Sequence, residues 1–263
     1  MPRPGHRGTA RLRSHSPVQP GDSPLRLLDL TLATPAENIA LDEALLEAAE
    51  GGQIAGEILR LWEPAAPLVV LGRSSRAAEE VDLAACAAAG VPVLRRASGG
   101  AAIVAGPGCL LYAVVLPYAG RQHLRMLDEL HRHVLGVVAR AVASLGLPAE
   151  HVGTSDLALD GRKFSGNSVR CKHDHLLYHG TLLYGMDLEL LDRLLRMPPR
   201  QPSYRGGRPH AQFVTNLPVT GAALRAALCA AFEAHEPPTD WPRRETDHLA
   251  RIRYSQPAWT LER

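Results

Sequence analysis

Asp156-Leu157-Ala158-Leu159-Asp160-Gly161-Arg162-Lys163-Phe164-Ser165-Gly166-Asn167 sets an apolar-rich extended segment, a two-residue turn and a second extended segment end to end. Asp160-Gly161 is the dipeptide that best matches a type I′ hairpin, whose two central residues both need positive φ. The stretch predicts antiparallel strands over 156–159 and 163–169. On such a hairpin Lys163 and Asp156 lie on facing strands within a few residues of each other. A compact ammonium there can meet a carboxylate or phosphate oxygen as negative charge develops on it. The plainer reading is an exposed turn with a solvated lysine. Composition weighs against that reading: of 29 basic residues, 27 are Arg and only Lys163 and Lys172 are Lys. An ammonium kept where Arg supplies charge everywhere else asks for a chemical reason.

Outward from the hairpin, the pattern keeps mixing paired strands with scattered helices. A strand is expected over 176–184 and a long helix over 121–145. Residues 101–105 and 109–116 read as a hairpin around Gly106-Pro107-Gly108. Residues 91–95 form a strand entering Ser98-Gly99-Gly100, preceded by a short helix over 81–89 and strands over 57–62 and 68–71. Thr34-Pro35 gives an N-cap followed by Pro at the first helical position, opening a helix that runs to Glu50. A first strand covers 25–30. After the central strands come a helix over 188–195, a Pro-, Arg- and Gly-rich loop over 198–210, and a helix over 221–235. This order predicts an α+β domain with a mixed, largely antiparallel sheet flanked by helices, rather than a doubly wound parallel sheet.

The chain has 263 residues and a formal net charge of +2. Residues 1–24 hold Arg3, Arg7, Arg11 and Arg13 against Asp22. Their Pro, Gly, Ser and Arg content predicts a disordered extension. The nearly neutral remainder argues against a general nucleic-acid binder. Cys86, Cys109, Cys171 and Cys229 are far apart with no C-x-x-C pair, which fits a reduced, cytoplasmic protein. Residues 101–120 carry no charge but are cut by Gly106-Pro107-Gly108 and Pro117, so they do not read as a membrane span. No apolar signal-peptide core opens the chain.

Arg95-Arg96-Ala97-Ser98-Gly99-Gly100 is a second chemical candidate, since consecutive glycines let backbone N–H groups approach an anion and two arginines neutralise phosphate. A tight turn with solvated charges is the alternative. His173, His175 and His179 share the parity of one strand face, yet no partner stands at clear metal-ligand spacing, and no metal site is assigned. Cys171 is a nucleophile only if a histidine lowers its pKa. Arg205, Arg208 and His210 either grip a phosphate or decorate a surface loop.

Taken together, several segments resemble the lipoate–protein ligase branch of the biotin/lipoate ligase family, in that family's order. They are Asn38-Ile39-Ala40-Leu41-Asp42-Glu43, Val69-Val70-Leu71-Gly72-Arg73, the run from Gly90 to Gly100, and Asp156 with Gly161-Arg162-Lys163-Phe164-Ser165-Gly166-Asn167. His179-Gly180-Thr181-Leu182-Leu183, Val214-Thr215-Asn216-Leu217 and a terminal Tyr254/Trp259 pattern complete the set, which spans residues 25–263 as one catalytic domain.

The resemblance implies a biotin-ligase-like fold related to class II synthetase cores, in a short form lacking a C-terminal accessory domain. It implies ATP, Mg²⁺ and lipoate or octanoate, an acyl-adenylate intermediate, and acyl transfer to a lysine of a lipoyl-carrier domain. Such carriers belong to 2-oxoacid dehydrogenases or are the glycine cleavage H protein. A separate accessory protein is a further implied partner, and neither nucleic acid nor membrane is. Lys163 is the implied catalytic cation. Arg73, Arg95, Arg96, Ser98, Gly99, Gly100, Asp156, Ser165, Gly166, His179, Gly180 and Thr181 are implied to bind substrate or adenylate, with Asp156 on the adenine amino group. The chain departs from the family pattern at Ala101, Ala105, Gly106 and Ser155. Two rival readings follow: a cysteine-dependent octanoyl- or lipoyl-transferase acting between carriers, and a non-catalytic lipoate-binding assembly protein.

Overall fold

The computed structural model describes residues 25–54, 56–235, 237–238 and 240–262. The extension expected over 1–24 lies outside them. In chain order the elements are β1 (Arg26–Asp29), α1 (Pro35–Glu50), β2 (Ile58–Trp62), β3 (Leu68–Leu71), α2 (Ala77–Glu80), α3 (Leu83–Ala88), β4 (Val93–Arg95), β5 (Ile103–Ala105) and β6 (Cys109–Pro117). A 3₁₀ turn (Gln122–Arg125) leads into α4 (Leu127–Ala143), then β7 (Glu150–Val152), β8 (Asp156–Leu159), β9 (Arg162–Cys171) and β10 (His175–Leu183). The remainder is α5 (Glu189–Leu194), a 3₁₀ turn (Ser203–Arg205), α6 (His210–Phe213), α7 (Gly221–Ala231), α8 (Arg243–Leu249), a π-helical turn (Ala250–Tyr254) and α9 (Pro257–Leu261).

Two sheets result. The larger has the order β1-β2-β6-β10-β9-β8-β7 and is antiparallel except for β1 beside β2. The smaller has the order β4-β3-β5, with β3 parallel to β4 and antiparallel to β5. The expected mixed, largely antiparallel α+β architecture is present.

Strand β6 reads as an unbroken apolar run because both of its faces are buried. Leu110, Tyr112, Val114 and Leu116 point to a core shared with Leu130, Val134, Leu135 and Val138 of α4. Ala113 and Val115 point to the other face, against Leu41, Leu45 and Leu46 of α1. Each such fully buried aliphatic side chain contributes on the order of 1.5–3 kcal/mol of transfer free energy. Helix α1 starts as expected: Thr34 and Glu37 form a capping box and Pro35 occupies the first turn. Its buried Glu43 accepts from Arg253 at 2.7 Å and Tyr254 at 2.6 Å, tying the π-helical turn to the core.

The hairpin expected around Gly106-Pro107-Gly108 does not form. Strand β5 pairs with β3 in the small sheet, whereas β6 pairs with β2 and β10 in the large one. The turn therefore carries the chain between sheets. Gly108 has φ of 81°, and a Cβ there would lie 2.1 Å from the Gly185 carbonyl carbon. Local pattern marks the turn, but nothing local says which partner each flanking strand takes. The long helix expected over 121–145 is broken at Met126, whose extended ψ of 118° separates the 3₁₀ turn from α4. The helix expected over 81–89 begins instead at Leu83 with Asp82 as its N-cap, while Val81 bridges to Leu195.

Candidate active site

Asp160 and Gly161 have φ of 51° and 70°, the pair of left-handed residues that a type I′ turn requires. The register then slips: Leu159 faces Arg162 and Ala158 faces Lys163, but Leu157 faces Ser165 and Asp156 faces Gly166. Phe164 is the extra residue of a β-bulge. Bulges re-aim side chains, and here the extra residue brings Gly166, in place of Ser165, opposite Asp156, on the face where Lys163 already stands. The Lys163 ammonium sits 2.8 Å from Asp156 Oδ1. It occupies the space that a side chain at Gly166 would fill, since a Cβ there would be 2.8 Å from Nζ. The other carboxylate oxygen of Asp156 accepts from the Tyr204 hydroxyl at 2.8 Å.

This pair opens onto a cleft of about 410 Å³ between the two sheets. Toward β2, β3 and β5 the lining is apolar: Ile39, Trp62, Val70, Ile103 and Leu111. Toward β8 and β9 it is polar: Thr154, Ser155, Asp156, Lys163, Asn167 and Ser168. The cleft suits an elongated molecule with an apolar chain and an anionic or polar head.

A line of hydrogen bonds crosses the middle of the cleft. His179 Nε2 lies 2.6 Å from Ser98 Oγ, and its Nδ1 lies 3.1 Å from Asp42 Oδ2. Asp42 Oδ1 in turn accepts from the fully buried Arg60 at 2.5 Å. Burial pushes the Asp42 carboxyl up, but Arg60 and His179 outweigh it and hold the group below its ordinary value. Asn38 Oδ1 takes a further Arg60 N–H at 2.8 Å. Sequence reading did not name Asp42, Arg60, Trp62 or Tyr204 as site residues. A signal was present for two of them: Arg60 is the one charge in the strand Ile-Leu-Arg-Leu-Trp, and Asp42 stands amid the apolar stripe of α1.

Of the residues singled out from the sequence, Arg96, Gly100, Asp156, Lys163, Gly166, His179, Gly180 and Thr181 line the cleft. Ser98 stands one step behind, on His179, while Arg96 Nη2 and Ser168 Oγ both donate to the Gly99 carbonyl. Arg96 spends the rest of its guanidinium on Ser98 Oγ and the carbonyls of Val70 and Ala101, so it shapes this loop. Burial lowers its pKa to about 10 despite the opposing charge of Glu80. Ser165 lines a smaller neighbouring cavity.

Arg95 and Arg73 depart from expectation. Arg95 is fully buried and lines neither cavity. Its guanidinium donates to the carbonyls of Gly72 and Ser75, both at 2.7 Å, and of Thr260 at 2.7 Å. It clamps the loop after β3 to the end of α9, because strand alternation turns it away from Arg96's side of the chain. Arg73 lines neither cavity either, and meets the glycine loop through its backbone N–H on the Ser98 carbonyl at 2.8 Å.

The histidines do not converge. His179 is in the cleft, whereas His173 lies in the β9–β10 turn and His175 opens β10, where Glu50 accepts the backbone N–H groups of His173, Asp174 and His175. Glu50, His173 and Asp174 bring ligand-type atoms within 4.8 Å of one another there, on an exposed rim. None of the four cysteines lines either cavity: Cys86 and Cys109 are buried, Cys171 is exposed and Cys229 is half-buried. No helix among the described residues is long and apolar enough to cross a membrane.

Residues 34–232 match the family model described as the lipoyl protein ligase A/B catalytic domain. Among curated relatives, a probable lipoate-protein ligase A of Mycoplasma pneumoniae is 34% identical over 164 residues, 62% of this chain and 46% of that protein. An octanoyltransferase LipM of Carboxydothermus hydrogenoformans is 32% identical over 190 residues, 65% of this chain and 69% of that protein. The chain spans about half the length of the ligase relatives of Mycoplasma that it matches. Among solved structures, a lipoate-protein ligase A bound with ATP superposes with a TM-score of 0.76 at 24% identity, covering 91% of this chain and 99% of that one. One chain from the structural study of a bi-partite lipoate protein ligase and its E2 lipoyl domain from Thermoplasma acidophilum gives a TM-score of 0.77 at 23% identity, covering 90% and 96%. At that identity the superpositions speak for the fold alone, and the fold is the one expected from the hairpin outward. With three quarters of its length matched by the family model, the chain belongs to the lipoyl protein ligase A/B catalytic domain family.

Proposed function

We propose that this chain activates lipoate or octanoate with ATP and passes the acyl group to a lysine of a lipoyl-carrier domain. The observation that carries the reading is the Lys163–Asp156 pair, 2.8 Å apart at the polar side of a cleft whose other side is apolar. In the first step a carboxylate oxygen attacks the α-phosphorus of ATP. The bond from that phosphorus to the bridging oxygen breaks, and pyrophosphate leaves with the electron pair. The acyl chain lies along Ile39, Trp62, Val70 and Leu111. Lys163 stands between the carboxyl and α-phosphate oxygens, where a fixed cation in a shielded site stabilises the transition state most. Asp156 accepts the adenine amino group, displacing the Tyr204 hydroxyl. In the second step the carrier lysine attacks the acyl carbon, AMP departs with the bonding pair, and the amine gives up a proton.

The carboxylates at the cavities are already engaged: Asp42 with Arg60, Asp156 with Lys163, and Glu80 with the Ala102 N–H. This donor set does not make a dedicated magnesium site, and Mg²⁺ belongs to the nucleotide as Mg–ATP.

The transferase reading draws on the octanoyltransferase relative and needs a thiol beside Lys163. Thr154 and Ser155 occupy the cleft lining ahead of β8, and no described cysteine lines either cavity, which favours the ligase reading. Mass spectrometry of a lipoyl domain incubated with the protein, lipoate and Mg–ATP tests the choice. The ligase reading expects an ATP-dependent mass gain that Lys163→Ala abolishes and Cys171→Ala leaves intact. Absence of both the mass gain and the acyl-adenylate overturns it.

A further inference from the structure

Tyr112 of β6, Gly180 of β10 and Asn167 of β9 stand in register across neighbouring strands. The middle residue has no side chain, so the outer two meet over it: the Tyr112 hydroxyl donates to Asn167 Oδ1 at 2.6 Å. A Cβ on Gly180 would fall 1.8 Å from that oxygen. The other end of the amide is taken as well. Asn167 Nδ2 donates to the Ser155 carbonyl at 2.8 Å and to Ser165 Oγ at 3.0 Å. A carbonyl only accepts, so Nδ2 must face Ser155, which leaves Oδ1 for the tyrosine. Tyr112 is fully buried, and burial raises its pKa well above the ordinary value, so the hydroxyl keeps the proton it donates.

The β8–β9 ladder ends at the pair Asp156 and Gly166. One residue beyond, Ser155 Oγ donates to the Asn167 carbonyl at 3.0 Å while Asn167 Nδ2 holds the Ser155 carbonyl. Side chains thus close the strand end on which Asp156 stands. Ser155 and Asn167 belong to the wall of the cleft. Strand alternation nevertheless points their side chains to the face opposite Asp156 and Gly166, where Tyr112 joins the core under α4.

We propose that Asn167 is a positioning residue of the nucleotide site: from behind the sheet it fixes the end of β8, and so sets where the Asp156 carboxylate meets the adenine amino group and Lys163. The proposal rests on the ATP-dependent reading above. Asn167 touches no reacting atom. Its effect runs through the Ser155 carbonyl, one peptide unit from Asp156, and Tyr112 holds the amide in the orientation that reaches it. Asp156 has Lys163 at 2.8 Å from Oδ1 and the Tyr204 hydroxyl at 2.8 Å from Oδ2. A displacement of about an ångström at Ser155 disturbs both contacts.

Pyrophosphate exchange of the full chain, with lipoate and either ATP or purine riboside triphosphate, tests the role, because the second nucleotide lacks the 6-amino group. The unaltered chain is expected to favour ATP by about 10-fold or more in kcat/KM. Asn167→Ala is expected to lower that preference about fivefold. In an Asp156→Ala background the same substitution should change kcat/KM by less than about twofold, since its effect needs the carboxylate. A merely structural role would slow both nucleotides alike. A preference unchanged by Asn167→Ala, or an equal loss with and without Asp156, overturns the proposal. Circular dichroism checks the fold, and Tyr112→Phe, which removes only the hydroxyl that orients the amide, carries the same test if Asn167→Ala does not fold. No lipoate-dependent exchange by the unaltered chain, or exchange indifferent to the amino group, counts against the reading above instead. The positioning role is then judged by a crystal structure of the folded variant: an Asp156–Lys163 separation beyond about 4 Å upholds it, and a retained contact overturns it.

Discussion

Lys163 and Gly166 share one volume: the lysine ammonium occupies the place of the side chain that the glycine lacks. The bulge at Phe164 creates this arrangement, because in unbroken register Ser165, not Gly166, would have faced Asp156.

A methyl group at Gly166 is therefore expected to displace the ammonium without unfolding the hairpin, since Lys163 is a flexible chain at its far end. Gly166→Ala should keep its thermal midpoint within a few degrees while lipoate-dependent pyrophosphate exchange falls about 10- to 100-fold, the cost of moving a reacting-centre group by about an ångström. Exchange at the unaltered rate would refute the shared-volume account.

Lys163→Arg keeps the charge but replaces a compact ammonium with a planar fork. Little room remains between Asp156 and Gly166 for that fork. Most pyrophosphate exchange is expected to be lost, with the fold retained by circular dichroism. A fully active arginine variant would reduce the scarcity of lysine in this chain to drift.

Arg95 gives a stability prediction rather than a catalytic one. Arg95→Met leaves the carbonyls of Gly72, Ser75 and Thr260 without their donor in a fully buried position. A loss of about 3 kcal/mol in chemical denaturation is expected, from several unmade buried hydrogen bonds. A loss below about 1 kcal/mol would show that the clamp is dispensable.

Asp42 supplies a pH dependence. Its carboxyl is held below the ordinary value of 3.8, so its contribution is present above that pH and is lost as pH falls through the folded-state value. Asp42→Asn leaves Arg60 buried without a counter-charge and should cost about 3–5 kcal/mol at neutral pH. The gap between the unaltered chain and the variant should narrow below pH 3.8, read from urea denaturation at successive pH values. A gap independent of pH would rule out the charge pairing as its source.

The sequence carried the type I′ turn and the capped first helix, because these follow from local chemistry: Asp-Gly at a two-residue turn, Thr-Pro with Glu37 at a helix start; eight of the residues that line the cleft were named through the family resemblance. Three kinds of information stayed hidden. The bulge at Phe164 depends on which partner residues the opposite strand offers. The inward turn of Arg95 depends on α9, 165 residues away in sequence. The separation of β5 from β6 into different sheets depends on β3, β2 and β10 competing for them. Arg60 and Asp42 were legible in principle, since a lone Arg in an apolar strand and an acid within an apolar stripe demand each other once the fold is closed.

The close approach of Gly108 to Gly185 extends the β6–β10 ladder past its last pair, Cys109 and Leu183, with the Gly108 carbonyl accepting from the N–H groups of Tyr184 and Gly185. The two backbones touch there with nothing between them, so any side chain at Gly108 would wedge the ends of the two central strands apart. The cleft's floor, laid on those strands, is thereby set by two residues that have no side chains at all, and room for a bulkier acid has to come from the opposite lining, at Arg200, Gln201 and Pro202.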